Sequence, residues 1–160
     1  VICRIFSVYS MFSSRRMHMG TKYFYTDLYS HSAEPAKVGL GKAINEARRR
    51  GVTDIVLCVS QLSSLDGTFS EAFGESIADL LMRKGFVRVQ GITFYLATKR
   101  KKPPRLSKFV VFGLEIKPEE IEQLSQSNNV IAIVYMPLHK SELDDFIRLF
   151  PESEHVKSVY

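Results

Sequence analysis

An uninterrupted apolar run, a polar loop and a helix-patterned segment follow one another within residues 51–85. Residues 55–59 are all apolar, and three of the five are β-branched. A short run without alternation is typical of a strand covered on both faces, as in a parallel sheet. We therefore predict an interior strand here. Residues 130–135 repeat the pattern and predict a second one.

The segment after the polar loop has the spacing of an amphipathic helix. Thr68 and Glu71 have the spacing of a capping box, which satisfies free amide hydrogens at a helix start. Apolar residues then recur three and four positions apart, which places them on one helix face: Phe69, Ala72, Phe73, Ile77, Leu80 and Leu81. Gly85 predicts a left-handed helix end. We expect one continuous helix over residues 68–84.

Shorter patterns predict the remaining elements. Strands are expected at residues 22–25, 86–90, 92–97 and 109–112, with a tight hairpin or a bulge at Gln90 and Gly91. One helix is expected from near Pro35 to residue 50, one at Pro118 and one capped by Ser141. Gly39 and Gly41 do not match a phosphate-binding loop, so close helix–sheet packing is the better interpretation.

Together these elements predict an α/β fold with three layers. A mainly parallel sheet of about six strands would carry about four helices on its two faces. We expect the strands at residues 22–25 and 92–97 to be antiparallel edges. The domain would consist of an N-terminal extension, a main lobe, a basic linker, a second βαβα lobe and a tail. These are residues 1–20, 21–98, 99–108, 109–152 and 153–160.

Charge is unevenly distributed along the chain. The net charge is +5, but residues 1–108 carry +10 and residues 109–160 carry −5. The two parts can meet external partners, or face each other within one chain or a homodimer. The two cysteines, Cys3 and Cys58, suggest neither a disulfide framework nor a metal site, so a reducing, cytoplasmic environment is expected. No apolar run is long enough to span a bilayer.

The polar loop at residues 60–68 is the leading candidate for a binding site. Its position between a buried strand and a helix amino terminus favours a small anionic or nucleotide-like ligand. The same residue types also serve turns and caps, which is the alternative. The candidate ligand-binding residues are Ser60, Gln61, Ser63, Ser64, Asp66, Gly67 and Thr68. The sequence names no cofactor.

A basic, proline-containing segment at residues 99–108 suggests a second function, nucleic-acid binding. Its cations are Lys99, Arg100, Lys101, Lys102, Arg105 and Lys108. Tyr95 and Phe109 flank the segment and could stack on bases. This hypothesis requires residues 48–50, which are three arginines, to share a face with the segment. The alternatives are a solvated hinge and, for the arginines, cations that complement a helix dipole.

A third hypothesis is a small hydrolase built from serine, histidine and aspartate. Its weak candidates are His31, His139 and Ser63, with Asp27 or Asp66 as the carboxylate. Such sets assemble through the fold, so sequence spacing does not test them. The hypothesis requires a histidine within hydrogen-bond reach of a loop serine. The histidines form no metal-binding pattern.

Overall fold

A mostly parallel sheet lies at the centre of the protein. The computed structural model describes residues 20–29, 32–60 and 67–157. Within them the strands are β1 (Lys22–Tyr25), β2 (Asp54–Val59), β3 (Phe86–Val89), β4 (Ile92–Ala97), β5 (Phe109–Leu114), β6 (Val130–Met136) and β7 (Glu154–His155). Their order is β3-β4-β2-β5-β6-β1-β7, and only β3 and β4 pair antiparallel.

Helices cover both faces of this sheet, which confirms the predicted three-layer α/β fold. They are α1 (Glu34–Arg49), α2 (Thr68–Phe73), α3 (Glu75–Lys84), α4 (Pro118–Ser125) and α5 (Lys140–Leu149). The first core lies between the sheet and α1, α2 and α3. The second core lies between the sheet and α4 and α5.

Strand β2 is buried on both faces, as its apolar run predicts. Ile55, Leu57 and Val59 belong to the first core, while Val56 and Cys58 belong to the second. None of these residues is more than 6% exposed. The period of two along a strand explains this division, because successive side chains point to opposite faces.

Helix α1 packs closely on the sheet because Gly39 has no side chain. A Cβ at Gly39 would lie 2.7 Å from two ring carbons of Phe112 and 3.2 Å from Cγ2 of Thr26. The helix crosses β5 and β6 on its way from β1 to β2. The predicted packing role of this glycine is therefore confirmed, and Gly51 follows the helix with a φ of +68°.

One predicted helix is divided, and two predicted helix starts are wrong by one or two residues. The helix expected over residues 68–84 is divided at Gly74, whose φ of +97° is a conformation that glycine adopts without strain. Its N-cap is Gly67 and not Thr68, and the N-cap of α5 is His139 and not Ser141. The periodicity was right, because the predicted apolar stripe still meets the first core. Phe69 and Leu81 are buried in that core, and the other four residues are partly buried and pack against it: Ala72, Phe73, Ile77 and Leu80.

The sheet edges also differ from the prediction. Strand β1 is parallel to both β6 and β7 and is not an edge, and β4 is parallel to β2. Glu154–His155, assigned to the tail, forms β7 beside β1. The antiparallel edge is β3, which a tight hairpin at Gln90 and Gly91 joins to β4. The position of a strand in the sheet depends on the strands that pair with it. The sequence of a short strand contains little information about those partners.

Two pairs of neighbouring strands send the chain to opposite faces of the sheet. After β2 the chain enters α2 on the first-core side, whereas after β5 it enters α4 on the second-core side. The same separation occurs between β1 and β6. In open α/β sheets, ligands bind in the crevice that such a separation creates at the carboxyl ends of the strands. None of the described helices has the length and hydropathy that crossing a membrane requires.

Candidate functional site

A groove of about 340 Å³ lies at the carboxyl edge of the sheet, beside the separation of β2 and β5. Residues that follow four parallel strands and residues from α4 and α5 line it: Ser60, Lys99, Glu115, Lys117, Pro118, Glu119, Glu120, Leu138, Glu142 and Asp145. We call it the acidic groove. Its volume is at the small end of the ligand-pocket range of about 300–1,000 Å³.

Carboxylates dominate the lining of the acidic groove. Five of its residues are acidic and two are lysines. Lys99 Nζ lies 3.4 Å from Glu120 Oε1, so one of the two ammonium groups is already paired. The described lining therefore offers more unpaired negative than positive charge to a ligand.

Two buried groups next to the groove respond to this negative charge. Tyr135 is fully buried, and its hydroxyl donates to the carbonyl of Ile116 at 2.6 Å and lies 3.1 Å from Oε2 of Glu142. Burial raises the pKa of Tyr135, and the neighbouring carboxylates, Glu142 first among them, raise it further. Burial, with a contribution from Glu120, raises the pKa of the Cys58 thiol to about 12. The phenol and the thiol are neutral at physiological pH.

Glu115 has an unusual backbone conformation at the exit of β5. Its φ is +57°, which lies in the left-handed region that non-glycine residues seldom adopt. Such a conformation is held only where the surrounding structure requires it, and these residues cluster at functional sites. The side chain is half-buried and lines the acidic groove. The strained residue therefore lies in the crevice where the topology places a ligand.

The predicted loop site is described only at its two ends. Ser60 is half-buried and lines the acidic groove. Gly67 is the exposed N-cap of α2, and Thr68 is the first residue of that six-residue helix. The other four candidates lie outside the described residues: Gln61, Ser63, Ser64 and Asp66. Of the sequence candidates, the structure thus brings Ser60 to the groove, together with carboxylates that the sequence interpretation had not selected.

The hydrolase residues are not brought together in the part of the chain that the structure describes. His31 and Ser63 lie outside the described residues, so this hypothesis stays a prediction. His139 is exposed at the start of α5. Asp27 contacts a different histidine, His155, with Oδ1 2.7 Å from Nε2. The ring of His155 also stacks on Tyr25 at 5.1 Å between centroids. The pairing of β7 with β1 creates this contact, and no sequence spacing indicates it.

Residues 20–29, 32–60 and 67–157 contain no group of three or more histidine, cysteine, aspartate or glutamate residues that could hold a metal ion. The carboxylates of the acidic groove are therefore interpreted as a source of negative potential and not as a ligand set.

Two of the three arginines at the end of α1 are bound to a buried carboxylate. Arg49 Nη2 lies 3.0 Å from both oxygens of Glu46, and Arg50 Nε lies 3.3 Å from Oε2. Arg50 also donates to the carbonyls of Gly20 and Ile131. These contacts fasten α1 to the amino ends of β1 and β6. The sequence predicted that these arginines complement the helix dipole. It did not predict their hydrogen bonds to Glu46 and to the strand carbonyls.

The basic segment at residues 99–108 lies on the other side of the sheet from these arginines. Its Leu106 packs against the second core, whereas α1 packs on the first. The six cations of the segment are all exposed. The two basic groups therefore do not form the single face that the nucleic-acid hypothesis requires of them. Phe109 is buried and cannot serve as a stacking residue, whereas Tyr95 is half-buried.

The chain was also compared with known proteins. The comparisons with protein-family models, with curated proteins and with solved structures found no match. The geometry of the acidic groove and of the basic segment is therefore the basis on which function is proposed.

Proposed function

We propose that the protein is a non-catalytic binding module that holds a small ligand in the acidic groove. The observation that carries this proposal is the position of the groove, where β2 and β5 send the chain to opposite faces. The carboxyl edge at such a point is where open α/β sheets bind ligands. The left-handed conformation of Glu115 supports the same location.

The described lining favours a ligand with a positively charged group, such as an amine. Carboxylates of α4 and α5 would face that group, and only Lys99 and Lys117 would oppose it. The small anionic or nucleotide-like ligand expected at residues 60–68 would have to contact these two lysines and avoid five carboxylates. That expectation stays a prediction, because residues 61–66 lie outside the described part of the chain.

A ligand panel with two matched variants tests the charge of the ligand. Thermal shift and calorimetry would compare putrescine and spermidine with ATP and glucose 6-phosphate. Glu119 and Glu122 are both exposed on α4, but only Glu119 lines the groove. We expect Glu119→Gln to weaken diamine binding about 2- to 5-fold, the size of a partly screened ion pair, and Glu122→Gln to leave it unchanged. Stabilisation by anions alone, strengthened by Glu119→Gln, would refute the cationic ligand. Absence of any stabilisation would refute the binding module.

A second pair of variants tests whether Glu115 takes part in binding. Glu115 and Gln90 both have a positive φ, but Gln90 lies in the hairpin between β3 and β4. Replacing either by glycine relieves left-handed strain, so we expect each variant to gain up to about 1 kcal/mol of stability. Only Glu115→Gly should weaken ligand binding. Equal binding by the two variants would show that Glu115 has no part in the site.

Two further expectations remain proposals. Self-association would use the antiparallel edge strand β3, whose Phe86 is 51% exposed, and light scattering over a concentration series measures it. A cytoplasmic location is proposed from cysteine usage alone and is tested by fractionation of cells that express a tagged chain.

A further inference from the structure

Among the helices that the structure describes, none covers one corner of the sheet on the second-core side. Strands β3 and β4 contact α3, which packs on the first-core side. On the opposite side Phe86 pairs with Tyr95 and Arg88 pairs with Thr93. Phe86 is 51% exposed, the highest value among the large apolar residues that the structure describes. We call Phe86, Arg88, Thr93 and Tyr95 the open corner.

The two aromatic rings of the open corner lie side by side on one face. Phe86 and Tyr95 are directly opposite each other in the antiparallel ladder, and their ring centroids are 6.4 Å apart. Tyr95 also packs on the second core, and these contacts fix the position of its ring. Aromatic rings presented on the open face of a sheet are surfaces on which unpaired bases stack.

The basic segment borders this corner. Lys101 lies against Gly85, which directly precedes Phe86, in the space that a Cβ would fill. Hydrogen bonds between Lys101 and Thr98 hold the start of the segment at the end of β4. Apart from Lys99, which pairs with Glu120, its cations form no ion pair with the described acidic residues. Exposed, unpaired cations beside two aromatic rings complement the phosphates and bases of a nucleic acid.

We infer that the open corner and the basic segment bind single-stranded nucleic acid. Bases stack on Phe86 and Tyr95, and the cations of residues 99–108 and Arg88 contact the phosphates. A duplex keeps its bases stacked internally, so the rings do not contribute to duplex binding. This surface lies apart from the lining of the acidic groove except at Lys99, so each function is testable without the other.

Fluorescence anisotropy with a labelled single-stranded 20-mer, its duplex and heparin tests the aromatic part. We expect Phe86→Ala to weaken single-strand binding about 5- to 150-fold, the range for the loss of one stacked base. Phe86→Tyr should restore it, and duplex and heparin binding should not change. Met82→Ala is the matched control, because Met82 is 38% exposed on α3. Equal losses for Met82→Ala, or an equal loss of heparin binding, would overturn the stacking role.

The salt dependence of the same binding tests the basic part. Lys101→Gln with Lys102→Gln should reduce the slope of log K against log salt by about 1.4, at about 0.7 for each phosphate contact with a single strand. Lys37→Gln with Arg48→Gln removes the same charge from exposed positions on α1 and should leave the slope unchanged. Identical slopes for the two double variants would overturn the proposal. So would the absence of single-strand binding by the unmodified protein at 50 mM salt, a concentration at which phosphate contacts are strong.

Discussion

The buried carboxylate of Glu46 organises three cations where α1 meets the amino end of the sheet. Its side chain is 2% exposed, and Lys42 Nζ lies 3.0 Å from Oε1. Arg49 and Arg50 complete the cluster at 3.0 and 3.3 Å. Glu46→Gln keeps the shape of the side chain and removes its charge. We predict that this single substitution destabilises the fold more than the loss of any ion pair exposed on the surface.

The exposure of the three cations determines how much stability Glu46→Gln is expected to lose. Breaking a fully buried ion pair costs about 3–5 kcal/mol, because the remaining charge stays in a poorly solvated site. Here the side chains of Lys42 and Arg50 are 27% and 24% exposed and that of Arg49 is 61% exposed, so water can hydrate them in part. Glutamine also keeps one carbonyl acceptor. We therefore expect a loss of about 2 kcal/mol in the free energy of unfolding, below the fully buried range.

The chain contains a matched control for this prediction. Asp79 and Arg83 have the same i,i+4 spacing on α3 and the same 3.0 Å separation, but their side chains are 61% and 63% exposed. Asp79→Asn should cost about 0.3–0.5 kcal/mol. Urea unfolding followed by circular dichroism gives both values, provided that the slope m is unchanged. At 1 M salt, where the screening length is about 3 Å, the Asp79 effect should vanish and most of the Glu46 effect should remain.

The fall of the free energy of unfolding at acid pH, which we call the acid limb, gives an independent test of the Glu46 prediction. Burial would raise the pKa of Glu46, but hydrogen bonds from Lys42 and Arg49 outweigh it and leave the pKa below its ordinary value of 4.5. The unfolded chain then takes up the proton at higher pH than the folded chain does. The contribution of Glu46 is present above pH 4.5 and is lost as the pH falls, so Glu46→Gln should show a shallower acid limb. A cost for Glu46→Gln no larger than that of Asp79→Asn, or an unchanged acid limb, would refute this reasoning.

Two further predictions concern the cores. Gly39→Ala should destabilise the fold by about 1–2 kcal/mol although alanine favours helices, because the new methyl group overlaps the buried ring of Phe112. Phe112→Leu should partly relieve that overlap, which a double-mutant cycle of urea midpoints measures; additive effects would contradict it. The thiol of Cys58 has a pKa of about 12 in the folded chain and an ordinary value of 9.0 when unfolded, so stability should fall as the pH rises above 9. The loss at pH 10 relative to pH 7 should be on the order of 1 kcal/mol, and Cys58→Ala should lack this part of the alkaline loss. An identical fall in stability at alkaline pH in the two proteins would contradict this prediction.

Strands and helices that are indicated by a pattern among neighbouring residues were predicted well. The run at residues 55–59 places β2 inside the sheet because a strand without polar positions must be covered on both faces. The apolar stripe of α1, with Pro35 near its start and Gly51 after its end, follows from helix periodicity and end preferences. The break at Gln90 and Gly91 follows from two β-patterned runs, but the sequence left a hairpin and a bulge open, and the structure has the hairpin.

One residue of the acidic groove was among the sequence candidates, and the prediction of a ligand there stays a prediction. The rule that ligands bind at the carboxyl ends of parallel strands points to Ser60, and that residue does line the acidic groove. The carboxylates of the groove come from the other end of the chain. Glu119 and Glu142, for example, lie on helices that approach Ser60 only because β5 lies beside β2 in the sheet and β6 lies beside β5. No spacing in one sequence encodes that approach.

Hydrophobic periodicity thus indicates which segments become strands and helices and which residues share an apolar face, because spacing along the chain decides which side chains point the same way. Strand order, the parallel placement of β1, the pairing of Asp27 with His155 and the hydrogen bonds of Arg50 to the carbonyls of Gly20 and Ile131 arise only in the folded chain. Their free energy comes from contacts between residues up to 128 positions apart. Such contacts depend on the complete set of strand pairings, and many pairings are compatible with the same local pattern.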